Sequence, residues 1–124
     1  MFTSMLKVML LDDRSIFPWI TLEPLVYECE LTGETYAVPK HFRTDGASVP
    51  RALMLFAPPL AARFFGQGVW LGFKQGVLHD YLRRNGLVPA SVAHRVFREA
   101  LYAGGYPADV CENYYAAVVK FNSK

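Results

Sequence analysis

Cysteine is scarce in this sequence: Cys29 and Cys111 are the only two in 124 residues. Two thiols that far apart exclude a disulfide framework and the short spacings of a zinc finger. They are expected to be buried free thiols of a reducing compartment. An excess of one charge is lacking too. Thirteen Lys and Arg stand against eleven Asp and Glu, a formal net charge of +2, and no Lys/Arg run occurs. That excludes the basic footprint of a nucleic-acid-binding surface. No apolar stretch approaches the ~20 residues that a membrane-spanning helix needs. The apolar run in "MFTSMLKVMLLDDR" lacks a basic start and a small-residue cleavage site, and it meets Asp12 and Asp13, so no signal peptide is expected. There is no G-x-S-x-G, no P-loop glycine pattern and no H-E-x-x-H, which removes the short motifs of several hydrolase and nucleotide-binding classes.

What the chain has in quantity is apolar and aromatic surface: 52% hydrophobic and 15% aromatic residues, with 19% charged. A chain of this length makes one domain, spanning residues 1–124, that folds without staples. The apolar content is high for a small monomer and points to a partner covering some of it, either another protein or a second copy.

The periodicity changes near residue 50. Before it, the pattern is that of strands. In "LVYECEL" the side chains of Leu25, Tyr27, Cys29 and Leu31 fall on one face and Glu28 and Glu30 on the other. A turn around Gly33 and the returning "TYAVP" complete a hairpin. "LKVMLL" and "FPWITLE" read as two further strands, with Pro18 favouring a sheet edge for the second. Residues 51–68, with adjacent prolines and two glycines, read as an irregular connection. Three helices are expected after it. The first spans about 69 to 84 and stops at Asn85-Gly86, the second runs from Pro89 to Gly104-Gly105, and the third starts at Pro107. Val110, Tyr114, Ala117, Val118 and Phe121 form the apolar stripe of the third. The expected fold class is α+β: a small, mainly antiparallel N-terminal sheet followed by a three-helix layer.

The first helix carries the residues of chemical interest, in "GVLHDYLRR". On a helical wheel Trp70, Val77 and Tyr81 lie on one side and Leu71, Leu78 and Leu82 on another. Gly72, Gly76, His79 and Arg83 share a third, with Asp80 beside them. The glycines predict a close approach of another segment, so His79 faces a tight seam. Two readings follow. In the first, His79 is a core histidine whose proton goes to Asp80 or a backbone carbonyl, and Asp45, Ser48, His79, Asp80 and Arg83 form a polar network fixing how sheet and helices meet. In the second, His79 with Asp45, Asp80 and His94 makes a nitrogen and oxygen ligand set for a divalent metal that activates water, His79 and Asp80 being the catalytic pair. Against it, His79 and Asp80 lie about 100° apart on a helix and do not both point straight at one ion. His94, at the edge of the second helix's apolar face, otherwise reads as a boundary residue reaching solvent.

The series "VPKHFRTDGASVPR", "GVLHDYLRR", "AHRVFREALYAGGYPADV" and "YYAAVVKF" resembles the domain of unknown function 1353 family over residues 36 to 121. The chain matches the pattern of that family at Thr44, Asp45, Ala47 and Ser48 and at His79 and Asp80. It has Arg83 where a tyrosine is usual and His94 where an aspartate is usual. The resemblance implies a bacteriophage or prophage protein, found in the host cytoplasm during expression and then in the virion or tail, in contact with other phage proteins. A His-Asp-x-x-Tyr run with a later aspartate is similar to secreted phospholipases A2, where histidine is the base and its neighbour binds calcium. The departures here remove the carboxylate that orients such a base. The favoured expectation is therefore an accessory or structural protein; the alternative is a metal-assisted hydrolase of envelope or lipid-like material.

Overall fold

In the computed structural model the described residues are 1–11, 19–44 and 72–121. They form an α+β fold, with strands in the N-terminal part and helices after it. The strands are β1 (Val8–Leu10), β2 (Trp19–Thr21), β3 (Leu25–Glu28), β4 (Thr35–Val38) and β5 (Arg43–Thr44). The helices are α1 (Phe73–Arg84), α2 (Ala90–Ala103) and α3 (Ala108–Phe121). The single small sheet expected from the sequence is divided in two. β1, β2 and β5 form one antiparallel sheet in that order, and β3 and β4 form a separate hairpin.

The hairpin follows from its alternation. Leu25 pairs with Val38 and Tyr27 with Tyr36, and all four are buried, while Glu28 and Thr35 point outward. Leu31 was expected on the buried face and is instead 51% exposed. The strand ends at Glu28 and the chain turns over residues 29–34, which breaks the period before it reaches Leu31. Residues 1–4 run along the other edge of β3, with Thr3 donating to Val26 and Glu28 to Met1. Thr21, although polar, is fully buried because every group it carries is used. Its hydroxyl donates to the Pro39 carbonyl at 2.7 Å and accepts from the Phe42 N–H at 2.8 Å, stapling the turn before β5 onto β2.

The helix ends agree with the sequence signals except at the first. α1 begins at Phe73 rather than near 69, because Gly72 stands at φ +79, in the left-handed region where a right-handed helix does not continue. α2 begins directly after Pro89 and ends at Gly104; α3 begins directly after Pro107. The core has two parts. The hairpin, α1 and one face of α2 enclose Leu25, Tyr27, Val77, Leu78, Leu82 and Val96. The opposite part of α2 packs Phe97 and Leu101 against Val110, Tyr114, Ala117 and Val118 of α3. α2 is thus the middle layer. Cys29 and Cys111 are both free and buried.

Gly72 is also the point of close approach that the glycines foretold. A Cβ there would lie 3.0 Å from the Tyr114 ring and 3.4 Å from Leu101. Its N–H donates to the Tyr106 hydroxyl at 2.9 Å. Replacing Gly72 by alanine adds left-handed strain of roughly 1–2 kcal/mol and crowds α1 against α3. Thermal unfolding of Gly72→Ala is expected to show a midpoint several degrees below the parent, with far-UV dichroism unchanged below the transition.

Candidate functional site

His79 lies on the inner face of α1 and His94 on the facing side of α2, five residues of connection (85–89) separating the helices. The two rings meet. His79 Nε2 and His94 Nδ1 are 2.9 Å apart, with the rings stacked at 5.1 Å between centroids, and the Phe97 ring closes over His79 at 5.2 Å. His79 is 4% exposed and His94 3%. His94 is therefore no boundary residue reaching water, and the partner of His79 is His94 rather than Asp80 or a carbonyl. The tight seam expected around His79 is the α1–α2 interface.

Burial governs the protonation of both rings. His79 is pushed down from an ordinary 6.5 to about 3, first by desolvation, then by the neighbouring His94 and Arg83. His94 is lowered by desolvation and then by Arg83. Both rings are neutral at pH 7, and a neutral pair carries one proton between the facing nitrogens. One ring donates and the other accepts. His94 Nε2, at the far side of its ring, is buried and has no hydrogen-bond partner among the described residues.

Asp80 serves a different joint. Its Oδ2 accepts from the Thr44 hydroxyl at 2.7 Å and from Arg84 at 3.2 Å. Arg84 also donates to the Arg43 carbonyl and lies over the Phe42 ring at 4.7 Å. Asp80 thus holds β5 and the chain before it against α1. Arg84 makes the contact that the sequence suggested for Arg83. Arg83 is half-buried and acts on the two histidines through its charge alone. Asp45 and Ser48 lie outside the described residues.

One residue of the polar framework has no sequence motif to announce it. Glu99 of α2 reaches the hairpin and accepts four donors. Oε1 takes the Tyr27 hydroxyl at 2.6 Å and the Glu30 N–H at 3.1 Å; Oε2 takes the Leu31 N–H at 2.8 Å and the Cys29 thiol at 3.7 Å. Desolvation alone would raise its carboxyl, but these donors outweigh it and hold the group below the usual carboxylate value.

A metal needs a convergent donor set. Among the described residues no group of three or more His, Cys, Asp or Glu side chains is placed to share one ion. Of the expected ligands, His79 and His94 come together but bond each other, and Asp80 points to Thr44 and Arg84. Of the expected ligands, the one buried nitrogen without a partner among the described residues is His94 Nε2, and the described residues do not make a metal site by themselves.

The depressed histidines carry a pH signature. The unfolded chain takes up protons from about pH 6.5 downward, whereas folded His79 resists until about pH 3 and folded His94 is lowered in the same direction. Stability is complete above the unfolded value and falls as pH drops through that window. Glu99 and Glu112, both held below the usual carboxylate value, add their own loss only below about 4.5. Denaturant unfolding between pH 7 and 4.5 is expected to show wild-type stability falling more steeply with acidification than that of His79→Leu. Equal slopes would mean that the pair is not buried as a neutral unit.

Comparison with known proteins agrees with this frame at one point. A family model described as protein of unknown function (DUF1353) matches residues 19–118. That span runs from β2 to the last turn of α3 and takes in His79, Asp80, His94 and Glu99. No curated protein and no solved structure matches the chain. With most of its length covered by that family model, the chain belongs to the DUF1353 family.

Proposed function

We propose that this protein is a small accessory or structural component encoded by bacteriophages or prophages, associated with the virion or tail and working through protein–protein contacts. The observation that carries this reading is the outer face of the β1–β2–β5 sheet. The inner face packs on α1, with Trp19 against Phe73 at 5.5 Å and Thr44 on Asp80. On the outer face Met9 stands opposite Ile20. Met5 and Leu11 extend the row along one chain, with Lys7 between Met5 and Met9, and Leu22 extends it along the other; these three apolar residues are exposed by 74%, 42% and 40%. A row of exposed methionine and leucine on a sheet face is a surface built for another protein. The polar residues add support, because His79, Asp80 and Glu99 are each engaged in holding elements together. The phage setting follows from the family resemblance.

Peptide mass spectrometry of purified particles, from a phage or induced prophage whose genome encodes the chain, is expected to detect it at stoichiometric level. Met9→Asp with Leu22→Asp should remove it from the particles while its far-UV dichroism and melting stay close to the parent. Particles that carry none of the wild-type chain would overturn the proposal.

A second reading, metal-assisted hydrolysis of an envelope or lipid-like substrate, rests on His94 Nε2, the buried nitrogen with no partner among the described residues. There His79 is base or ligand, with Asp45, Asp80 and His94 as further ligands. A base near pKa 3 is a weak proton acceptor at neutral pH, which is why the first reading is preferred. Elemental analysis with thermal unfolding before and after chelation separates the two. The first predicts no stoichiometric metal and no shift in Tm; a bound metal whose removal lowers Tm favours the second.

A further inference from the structure

Beside Glu99 the surface presents two oppositely charged patches next to each other. Between the 29–34 turn and α2 lies a groove of about 440 Å³ lined by Leu31, Arg95, Arg98, Glu99 and Tyr102. Its charges are neutralised unequally. Glu99 is held by its four donors, and Arg98 is bonded to Glu112 through Nε and Nη2, each at 2.8 Å. Arg95 is exposed, and among the described residues it has neither an ion pair nor a hydrogen bond. On the far side of the turn the position is reversed. Glu28, Glu30 and Glu34 are exposed around a second hollow that the Met1 ammonium also lines, where it donates to the Glu28 carbonyl; among the described residues no side-chain cation pairs with the three carboxylates. Leu31 and Tyr102, 51% and 43% exposed, line the Arg95 groove.

A surface with carboxylates on one side of the turn, an unpaired guanidinium on the other and an exposed apolar pair along the groove is complementary to itself. A second copy related by a twofold axis brings its turn carboxylates to Arg95 of the first and its own Arg95 to the turn of the first. We propose that the chain forms a symmetric dimer through this face, with the 29–34 turn of each copy seated in the Arg95 groove of the other. Leu31 and Tyr102 supply the apolar centre, and the Glu–Arg95 pairs form a rim that fixes register and weakens with salt. This goes beyond the proposed role and uses a different surface from the outer sheet face.

Sedimentation equilibrium of the full chain tests it. Wild type is expected to be a dimer whose dissociation increases with salt. Arg95→Glu alone and Glu30→Lys with Glu34→Lys alone should each be monomers with unchanged dichroism. Mixing the two variants should restore a dimer, because the reversed charges then face each other. A wild type that stays monomeric at every concentration, or a dimer that survives both variants, overturns the inference. Neither result touches the particle-association proposal, which is read on other residues by another measurement.

Discussion

The arrangement of this fold depends on one carboxylate. Glu99 sits on α2, the helix that packs against α1 on one side and α3 on the other, and it is the point where that helix grips the β3–β4 hairpin. It receives two backbone N–H groups of the turn, which have no strand partner because the strand has ended, and the hydroxyl of the fully buried Tyr27. A buried donor left without an acceptor costs about 1–3 kcal/mol. Glu99 removes that cost for the buried Tyr27 hydroxyl, and through the more exposed N–H groups of the turn it fixes where the hairpin lies on the helix. The effect on Tyr27 is equally direct: burial and the adjacent carboxylate raise its phenol well above the ordinary value, so it remains a donor. Once the hairpin is set on α2, the inward side chains of β3 and β4 reach α1 and close the first core.

The histidine pair does for the α1–α2 seam what Glu99 does for the hairpin, by different physics. Two neutral imidazoles satisfy each other without burying a charge, whereas a histidine with an aspartate at that depth brings a full carboxylate into the interface. His94 presents a neutral nitrogen to His79 Nε2, where a carboxylate would stabilise a protonated His79. In this chain the pair is suited to holding two helices together and poorly suited to holding a proton.

Much of the fold was legible because its signals are local. Alternation over Leu25 to Cys29 marks the hairpin strand, and Asn85-Gly86 and Gly104-Gly105 mark the ends of α1 and α2. Leu31 failed because alternation says which residues share a face but not where the strand stops. The helix start failed because Gly72 reads as one more helical glycine until its positive φ is known. The site was less legible, since its contacts are made across elements. His79 has Asp80 beside it in sequence, yet a step of 100° turns that carboxylate towards β5, and the actual partner comes from the next helix. Glu99 was invisible for the same reason: an acid that accepts from the backbone of a distant turn carries no spacing rule.

The two sheets explain where the unusual apolar content goes. The hairpin is covered by α1 and α2, so its inward residues join the core, while its outward face carries Val26 and Ala37 beside Glu28 and Thr35. The β1–β2–β5 sheet meets α1 on one face only, and its other face is nevertheless built from Met5, Met9, Leu11, Ile20 and Leu22. An antiparallel sheet with one solvated face normally alternates apolar with polar. Here the row on that side departs from the rule, with Lys7 and Arg43 as its main polar members. The departure is greatest on that side, although Leu10 on the opposite face is also 51% exposed, and a surface that keeps apolar side chains where water would select polar ones is shaped by what it meets.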